Sequence, residues 1–255
     1  LMLIILISFM FISMSYAGYT DTIQITGTAT TQQDFNEMDL VGYWKFDEAS
    51  GTTAFDSSAY NNDGNLIGAT PLGEYYDFDG ENDYVSIPDD ESLDVTDQIT
   101  VMAWVKIDSL ETGRFYTIVG KWNDVDGNYR GYLLGLSNLS SSKPQPRFYI
   151  STNGNNYPSA NSALNLDTGI WYHLAGTYDN NDLKIYVNGV LKGSFPLAGE
   201  TINQNNQPVL IAGDRAGGSN ARFYDGNIDE VRIYETALSA NEIQYIYNEE
   251  NIQHT

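Results

Sequence analysis

The chain has 255 residues, with 34 Asp or Glu against 12 Lys or Arg and a formal charge of −22. That balance excludes the clustered basic surface a nucleic-acid partner requires; it suits divalent cations, or simply a solvated acidic surface. With no cysteine, disulfides, thiolate metal sites and cysteine nucleophiles are excluded.

Residues 1–12 are almost wholly apolar, and Ser15-Tyr16-Ala17 is a small-x-small cleavage pattern. Residues 1–17 therefore read as a signal peptide cut before Gly18, which implies export. The apolar run is too short for a membrane span. It lacks a basic start and the chain opens on Leu, so a retained N-terminal anchor stands as the alternative. Residues 18–39, rich in Thr, Gln, Asp and Asn, read as a polar linker or an added edge strand. Residues 40–250 then form the domain proper, and 251–255 a tail.

Within the domain, short β-type runs alternate with turn residues. Gly42 to Phe46 puts Trp44 and Phe46 on one face, and Asp56 to Asn65 reads as a loop. Tyr75 to Phe78 runs into a turn at Asp79-Gly80-Glu81-Asn82, followed by a strand from Asp83 to Ile87. Ile99 to Lys106 is apolar on both faces, so it belongs in the middle of a packed structure. Further strands are expected at Tyr116 to Lys121, Tyr129 to Leu136, Arg147 to Thr152 and Trp171 to Tyr178. Leu183 to Val187 and Val190-Leu191 flank Asn188-Gly189, a type I′ hairpin signal. Pro208 to Gly213 and Gly226 to Tyr234 close the β series.

The last strand is unusual. Simple alternation places Asp229, Val231 and Ile233 on one face, and Glu230, Arg232 and Tyr234 on the other. The buried apolar face then carries a carboxylate, which must be paired, hydrogen-bonded or metal-bound. Glu230 and Arg232 read as a surface ion pair of little worth. Ser239-Ala240-Asn241-Glu242 is a capping box that opens the one convincing helix, with Ile243, Ile246 and Tyr247 at helical spacing. Strands with turn signals at this density predict an all-β sandwich or barrel.

Seven stretches in order carry a resemblance: Tyr43-Trp44-Lys45-Phe46-Asp47-Glu48; Asp56-Ser57-Ser58 with Asn61-Asn62-Asp63-Gly64; Tyr76-Asp77-Phe78-Asp79-Gly80 through Asp83-Tyr84-Val85; Ile99 to Lys106; Trp171 to Asp179; Ile185 to Gly189; and Gly226 to Tyr234, ending in Ala237-Leu238-Ser239 and Glu242-Ile243. Together they resemble the LamG-like jelly roll of the concanavalin A-like lectin/glucanase superfamily. The resemblance implies an all-β, antiparallel two-sheet jelly-roll sandwich with a short C-terminal helix. It also implies a structural calcium held by Asp229. The turn supplying Asp79, Gly80 and Asp83 is the best partner, since calcium takes carboxylate and carbonyl oxygens. The alternative is that Asp229 caps loop amides without a metal.

Three polar loops carry the mixture of flat aromatics with Asn, Asp and Arg that a sugar requires. The first holds Trp122, Asn123, Asp124, Asn128, Tyr129 and Arg130, the second Tyr157, and the third Asp214 and Arg215. The bland alternative for each is an ordinary loop whose aromatic packs back on the sandwich. Glycoside hydrolysis needs two carboxylates flanking the bond, and the Glu-x-Asp-x-(x)-Glu run of the superfamily's glucanases is absent from the sequence. His173, in a strand pattern, reads as a packed, hydrogen-bonded histidine; Trp44, Trp104 and Trp171 read as core. Asn138-Leu139-Ser140 is a glycosylation sequon, relevant only in a host that glycosylates. The expectation is an extracellular or cell-surface, non-catalytic binding module for polysaccharide or glycoconjugate, with calcium. A divergent glycoside hydrolase and a protein-binding adhesion surface are the alternatives.

Overall fold

The computed structural model describes residues 39–124, 129–139, 143–213 and 223–254. They fall in one compact unit, Phe35–Thr255. The expected signal peptide and most of the polar segment lie outside the described residues, as do Asn128, Asp214 and Arg215.

The strands are β1 (Leu40–Trp44), β2 (Thr53–Ala54), β3 (Gly64–Ile67), β4 (Thr70–Pro71), β5 (Tyr76–Asp79), β6 (Tyr84–Ile87), β7 (Ile99–Ile107), β8 (Phe115–Trp122), β9 (Arg130–Ser137), β10 (Gln145–Ile150), β11 (Ser159–Asn161), β12 (Trp171–Tyr178), β13 (Asp182–Val187), β14 (Val190–Pro196), β15 (Val209–Ile211) and β16 (Asp225–Tyr234), followed by helix α1 (Ala240–Glu250). One sheet runs β14-β13-β12-β7-β16-β5-β4, with β1 also on β16; the other runs β11-β10-β9-β8-β15-β6-β3-β2. Among the described residues every strand pairing is antiparallel. This is the jelly-roll sandwich. The short strands β2, β3, β4 and β11 carry no alternation a sequence reading could use, and β3 begins inside what reads as a loop.

The core lies between the sheets. Ile99, Val101, Ala103, Val105 and Ile107 of β7 face Ile118 of β8, Leu134 and Leu136 of β9 and Phe148 of β10, all fully buried. Each such side chain removed from water stabilises the fold by about 1.5–3 kcal/mol. Phe46 stacks on Tyr76 at 4.1 Å and 6°. Lys121 is also buried, where its ammonium meets Asp89 and, at 3.2 Å, Asp94. The β13–β14 turn has Asn188 at φ 50° and Gly189 at φ 73°, the two positive angles the Asn-Gly pair foretells.

The outer face of the first sheet is covered. Met102, Ala175, Tyr186 and Tyr234 pack under Leu238, Ile243 and Ile246 of the helical segment. The capping box forms as expected: the Ser239 amide donates to Glu242 Oε2 at 2.6 Å and the Glu242 amide to Ser239 Oγ at 3.3 Å.

Candidate functional site

On the second sheet, Trp122 is not a loop residue. It ends β8 and is only 5% exposed, packed with Phe115, Leu133 and Tyr149 on the outer face. Its polar sequence neighbours hide this, because the apolar partners come from β9, β10 and the far end of β8. Trp122 Nε1 donates to Asp124 Oδ1 at 2.8 Å, and Arg130 Nε donates to the same oxygen at 2.7 Å. Arg130 Nη1 donates to the Gly154 carbonyl at 3.0 Å, which ties the next loop in. Its guanidinium lies 5.0 Å from the Tyr157 ring and 5.9 Å from that of Trp122, a cation–π arrangement. Tyr157 meets Trp122 edge-on at 5.7 Å. Trp122 at the end of β8, Asp124 after it, Arg130 at the start of β9 and Tyr157 in the loop after β10 are thus brought together. Tyr157, 47% exposed, is the ring offered to solvent, with Tyr129 at 38%. Asn123 faces elsewhere: its Nδ2 donates to Gln207 Oε1 at 3.0 Å.

The residues expected to hold calcium do not converge. Asp79 pairs with Asp225 across β5 and β16, whereas Asp229 pairs with Trp104 of β7. Asp229 lies four steps along β16 from Asp225, about 13 Å. In the turn, Asp79 Oδ1 accepts from the amides of Glu81 (2.8 Å) and Asn82 (3.2 Å), and Asp83 Oδ2 from that of Asp79 (3.1 Å). Gly80 sits at φ 73°, and a Cβ there would lie 2.7 Å from that of Asp225, so the turn closes on β16 only with glycine. Burial first, then the neighbouring acids, raise the carboxyl pKa values of Asp83 and Asp225. Among the described residues no group of three His, Asp or Glu is arranged to hold a metal ion. Asp229 therefore stands apart from the acidic turn.

Asp229 also lies on the opposite face from the one simple alternation assigns. Opposite β7, Asp229 pairs with Trp104 and Arg232 with Met102, so Glu230 and Val231 together face Ala103 alone. This is a β-bulge, and Glu230 takes φ 50° within it. The extra residue reverses the phase. Ile228, Val231 and Ile233 point into the core, while Asp229 and Arg232 share the outer face with Trp104 and Met102. Asp229 remains buried, at 4% exposure, because the last residues of the chain cover it: His254 Nε2 lies 2.9 Å from Asp229 Oδ2 and Nδ1 lies 3.0 Å from the Glu250 carbonyl. Burial lifts the Asp229 carboxyl to about 6, against the pull of His254. His254, within the expected tail, is therefore packed on the sheet, while Ile252 and Gln253 are exposed.

Glu230 and Arg232 are not a surface pair either. They are 8% and 9% exposed. Arg232 Nη2 donates to Glu230 Oε2 and to Tyr43 Oη, both at 2.6 Å, Tyr43 Oη donates to the same glutamate at 2.5 Å, and Nη1 meets Glu250. The Tyr43 ring lies 4.0 Å from the guanidinium. Trp104 Nε1 closes the network on Glu250 at 2.7 Å. It borders a cleft of about 440 Å³ lined by Tyr43, Lys45, Ser57, Tyr245 and Glu249. His173, fully buried beside Trp104, has no hydrogen-bond partner on either ring nitrogen among the described residues, and burial pushes its pKa down to about 3. It is a neutral, packed ring, without the hydrogen bonds expected of it.

No curated protein sequence matches the chain significantly. Among solved structures, domain 4 of AbnA, an extracellular arabinanase from Geobacillus stearothermophilus, solved in complex with arabinotriose, is similar at 22% identity and TM-score 0.63, over 82% of this chain and 98% of that one. The binding domain of Paraclostridial Mosquitocidal Protein 1 is similar at 16% identity and TM-score 0.64, over 84% and 52%. The receptor binding domain of the botulinum neurotoxin C/D mosaic serotype gives the same four values. The matched region is about half the length of these two toxin domains. At such identities the likeness establishes the fold. Residues 78–244, from the end of β5 into α1, match a family model, so the chain belongs to the concanavalin A-like lectin/glucanase superfamily.

Proposed function

We propose that this protein is an exported, non-catalytic binding module for polysaccharide or a glycosylated surface. The observation that carries this reading is the convergence of Trp122, Asp124, Arg130 and Tyr157 at the strand ends where β8 and β9 meet the loop after β10, with an aromatic face and polar groups side by side. Sugars present weakly apolar C–H faces ringed by hydroxyls, and such a site matches both. The arabinotriose complex of AbnA domain 4 is a precedent on this fold. Among the described residues no helix is long and apolar enough to cross a membrane.

A glycan array including arabinan fragments tests the reading. Tyr157→Ala removes the exposed ring without opening the core, so binding falls at least tenfold while the melting temperature holds. Unchanged binding in Tyr157→Ala removes this patch, and an array blank for wild type refutes the glycan reading. The toxin domains favour a receptor-type partner as the second reading; a pull-down that enriches a protein and ignores glycans would select it.

A structural calcium belongs to the proposal at the Asp79–Asp83 turn with Asp225, where repulsion among neighbouring acids supports it. Calcium raises the melting temperature if it binds the native state alone. Identical melting in EDTA and in millimolar calcium ends that part.

A further inference from the structure

We propose that the outer face of the first sheet holds a second ligand slot, built by Trp104, Trp171 and Asp229, and that His254 of the same chain occupies it as a displaceable latch. Pairing in the sheet makes the slot. His173, Trp104 and Asp229 align across β12, β7 and β16, and Trp171, Lys106 and Asn227 form the next row. Directly paired residues share a face, so these six side chains form one outward-facing patch. His254 lies flat on Trp104, with ring centroids 4.1 Å apart and planes 3° from parallel, and meets the edge of Trp171 at 4.9 Å and 75°. Its Nε2 reaches the Asp229 carboxylate at 2.9 Å. Lys106 stands at the rim, its ammonium 5.5 Å from the ring centroids of Trp171 and of Tyr75, which itself meets Trp171 edge-on.

The arrangement has a flat aromatic floor, an aromatic wall, a carboxylate aimed at the edge of whatever lies on the floor, and a cation beside it. A ring with an apolar face and hydrogen-bond donors on its rim satisfies all of these at once. The imidazole does so, and so does a neutral pyranose or furanose with one hydroxyl donating to Asp229. The other hydrogen bonds of the latch are local: Nδ1 lies 3.0 Å from the Glu250 carbonyl and the His254 amide donates to the Asn251 carbonyl at 3.4 Å, so both tie it only to the end of α1. Only a short run of turn separates His254 from α1, and Ile252 within it is 82% exposed. Ligand and latch compete for one place, so the ligand's apparent affinity is reduced by the fraction of molecules in which the slot is open. The assignment of a sugar rests on the glycan-binding reading above; the slot and its latch do not.

The test uses the full chain as wild type, His254→Ala, and His254→Ala with Trp171→Ala, which removes the half-exposed wall and spares the buried floor. Free imidazole comes first. It raises the melting temperature of His254→Ala and leaves wild type and the double variant unmoved; no selective rise means no slot, and the proposal falls. A set of neutral trisaccharides, arabinotriose among them, is then titrated calorimetrically. At least one binds His254→Ala about tenfold more tightly than wild type, as for a latch closed nine-tenths of the time, and loses that gain in the double variant. Equal affinity in wild type and His254→Ala, abolished by Tyr157→Ala, leaves the glycan reading standing and overturns this second site. Selective imidazole rescue with no trisaccharide bound by any variant overturns the sugar assignment.

Discussion

A φ of 50° at Glu230 costs a residue with a Cβ about 1–2 kcal/mol, and the contacts it permits offset that cost. The bulge aims the Glu230 carboxylate at Arg232 and Tyr43, where it accepts two hydrogen bonds of 2.6 and 2.5 Å. Arg232 in turn stands between two carboxylates, Glu230 and Glu250; burial opposes its charge, and Glu250, Tyr43 and Glu230 outweigh burial and raise its pKa. Arg232→Ala would strand both acids out of water, and removing one partner of a buried ion pair costs about 3–5 kcal/mol. Arg232→Lys keeps the charge but loses the planar fork, so it falls between. Urea titration gives both values; a loss under about 1 kcal/mol for Arg232→Ala, the scale of an exposed pair, would mean that the network contributes no more than a surface contact. None of this is legible in Asp229-Glu230-Val231-Arg232. Alternation counted straight through an inserted residue puts every later side chain on the wrong face, and glutamate is not the residue that announces a positive φ. What the sequence does show is the carboxylate's predicament: Asp229 is buried and it does have a hydrogen-bonded partner, though on the other face and of another kind.

At the scale of elements, α1 and the residues after it act as a lid on the first sheet, and pH tests the lid directly. The groups acting on His254 are Asp229 from β16, Glu250 from α1 and His173 from β12; Glu230 acts on Asp229, Arg232 acts on His173, and Lys106 of β7 lies over the Trp171 ring that His254 meets. Burial opposes its charge, but the bond to Asp229 and the Glu250 carbonyl prevail and raise its pKa above 6.5. A raised folded value means that the folded state holds its proton more tightly, so this stabilisation is complete below 6.5 and is lost as pH rises through the folded value. Asp229, raised from 3.8 to about 6, has the same sign over a lower window: stability falls between about 4 and 6 as it ionises. His254→Ala therefore loses the upper part of the slope, and its deficit against wild type shrinks above neutrality. Parallel stability curves for the two proteins from pH 5 to 9 would show that the contact carries no charge-dependent energy. The helix is read from its capping box and the helical spacing of Ile243, Ile246 and Tyr247, because these signals are local. The lid's function is not, because Trp104 and His254 stand 150 positions apart. Likewise β7, apolar on both faces, foretells a strand covered on both sides without saying what covers it.

For the whole molecule the dominant fact is a charge of −22 held on one sandwich. Among the described residues several cations are already engaged: Lys121 with Asp89 and Asp94, Arg130 with Asp124, Lys143 with Asp167, Lys184 with Asp179, and Arg232 with two glutamates. The surplus carboxylates repel one another, and this is legible from composition alone, as the jelly roll is legible from seven ordered stretches. Salt should therefore stabilise the protein. The screening length falls from about 30 Å at 0.01 M to about 8 Å at 0.15 M ionic strength, and each 1 kcal/mol so recovered is worth about 2–4 °C in a domain of this size. Buried pairs such as Lys121 with Asp94 lose little, since salt does not reach them. A melting temperature that stays flat or falls over that range would place the excess charge too far apart to matter. The same experiment separates screening from binding. Sodium and calcium chloride at matched ionic strength act alike if only the diffuse charge responds. A further rise with calcium, abolished by Asp83→Asn and retained by Asp229→Asn, would locate a specific ion at the β5–β6 turn and not beneath His254.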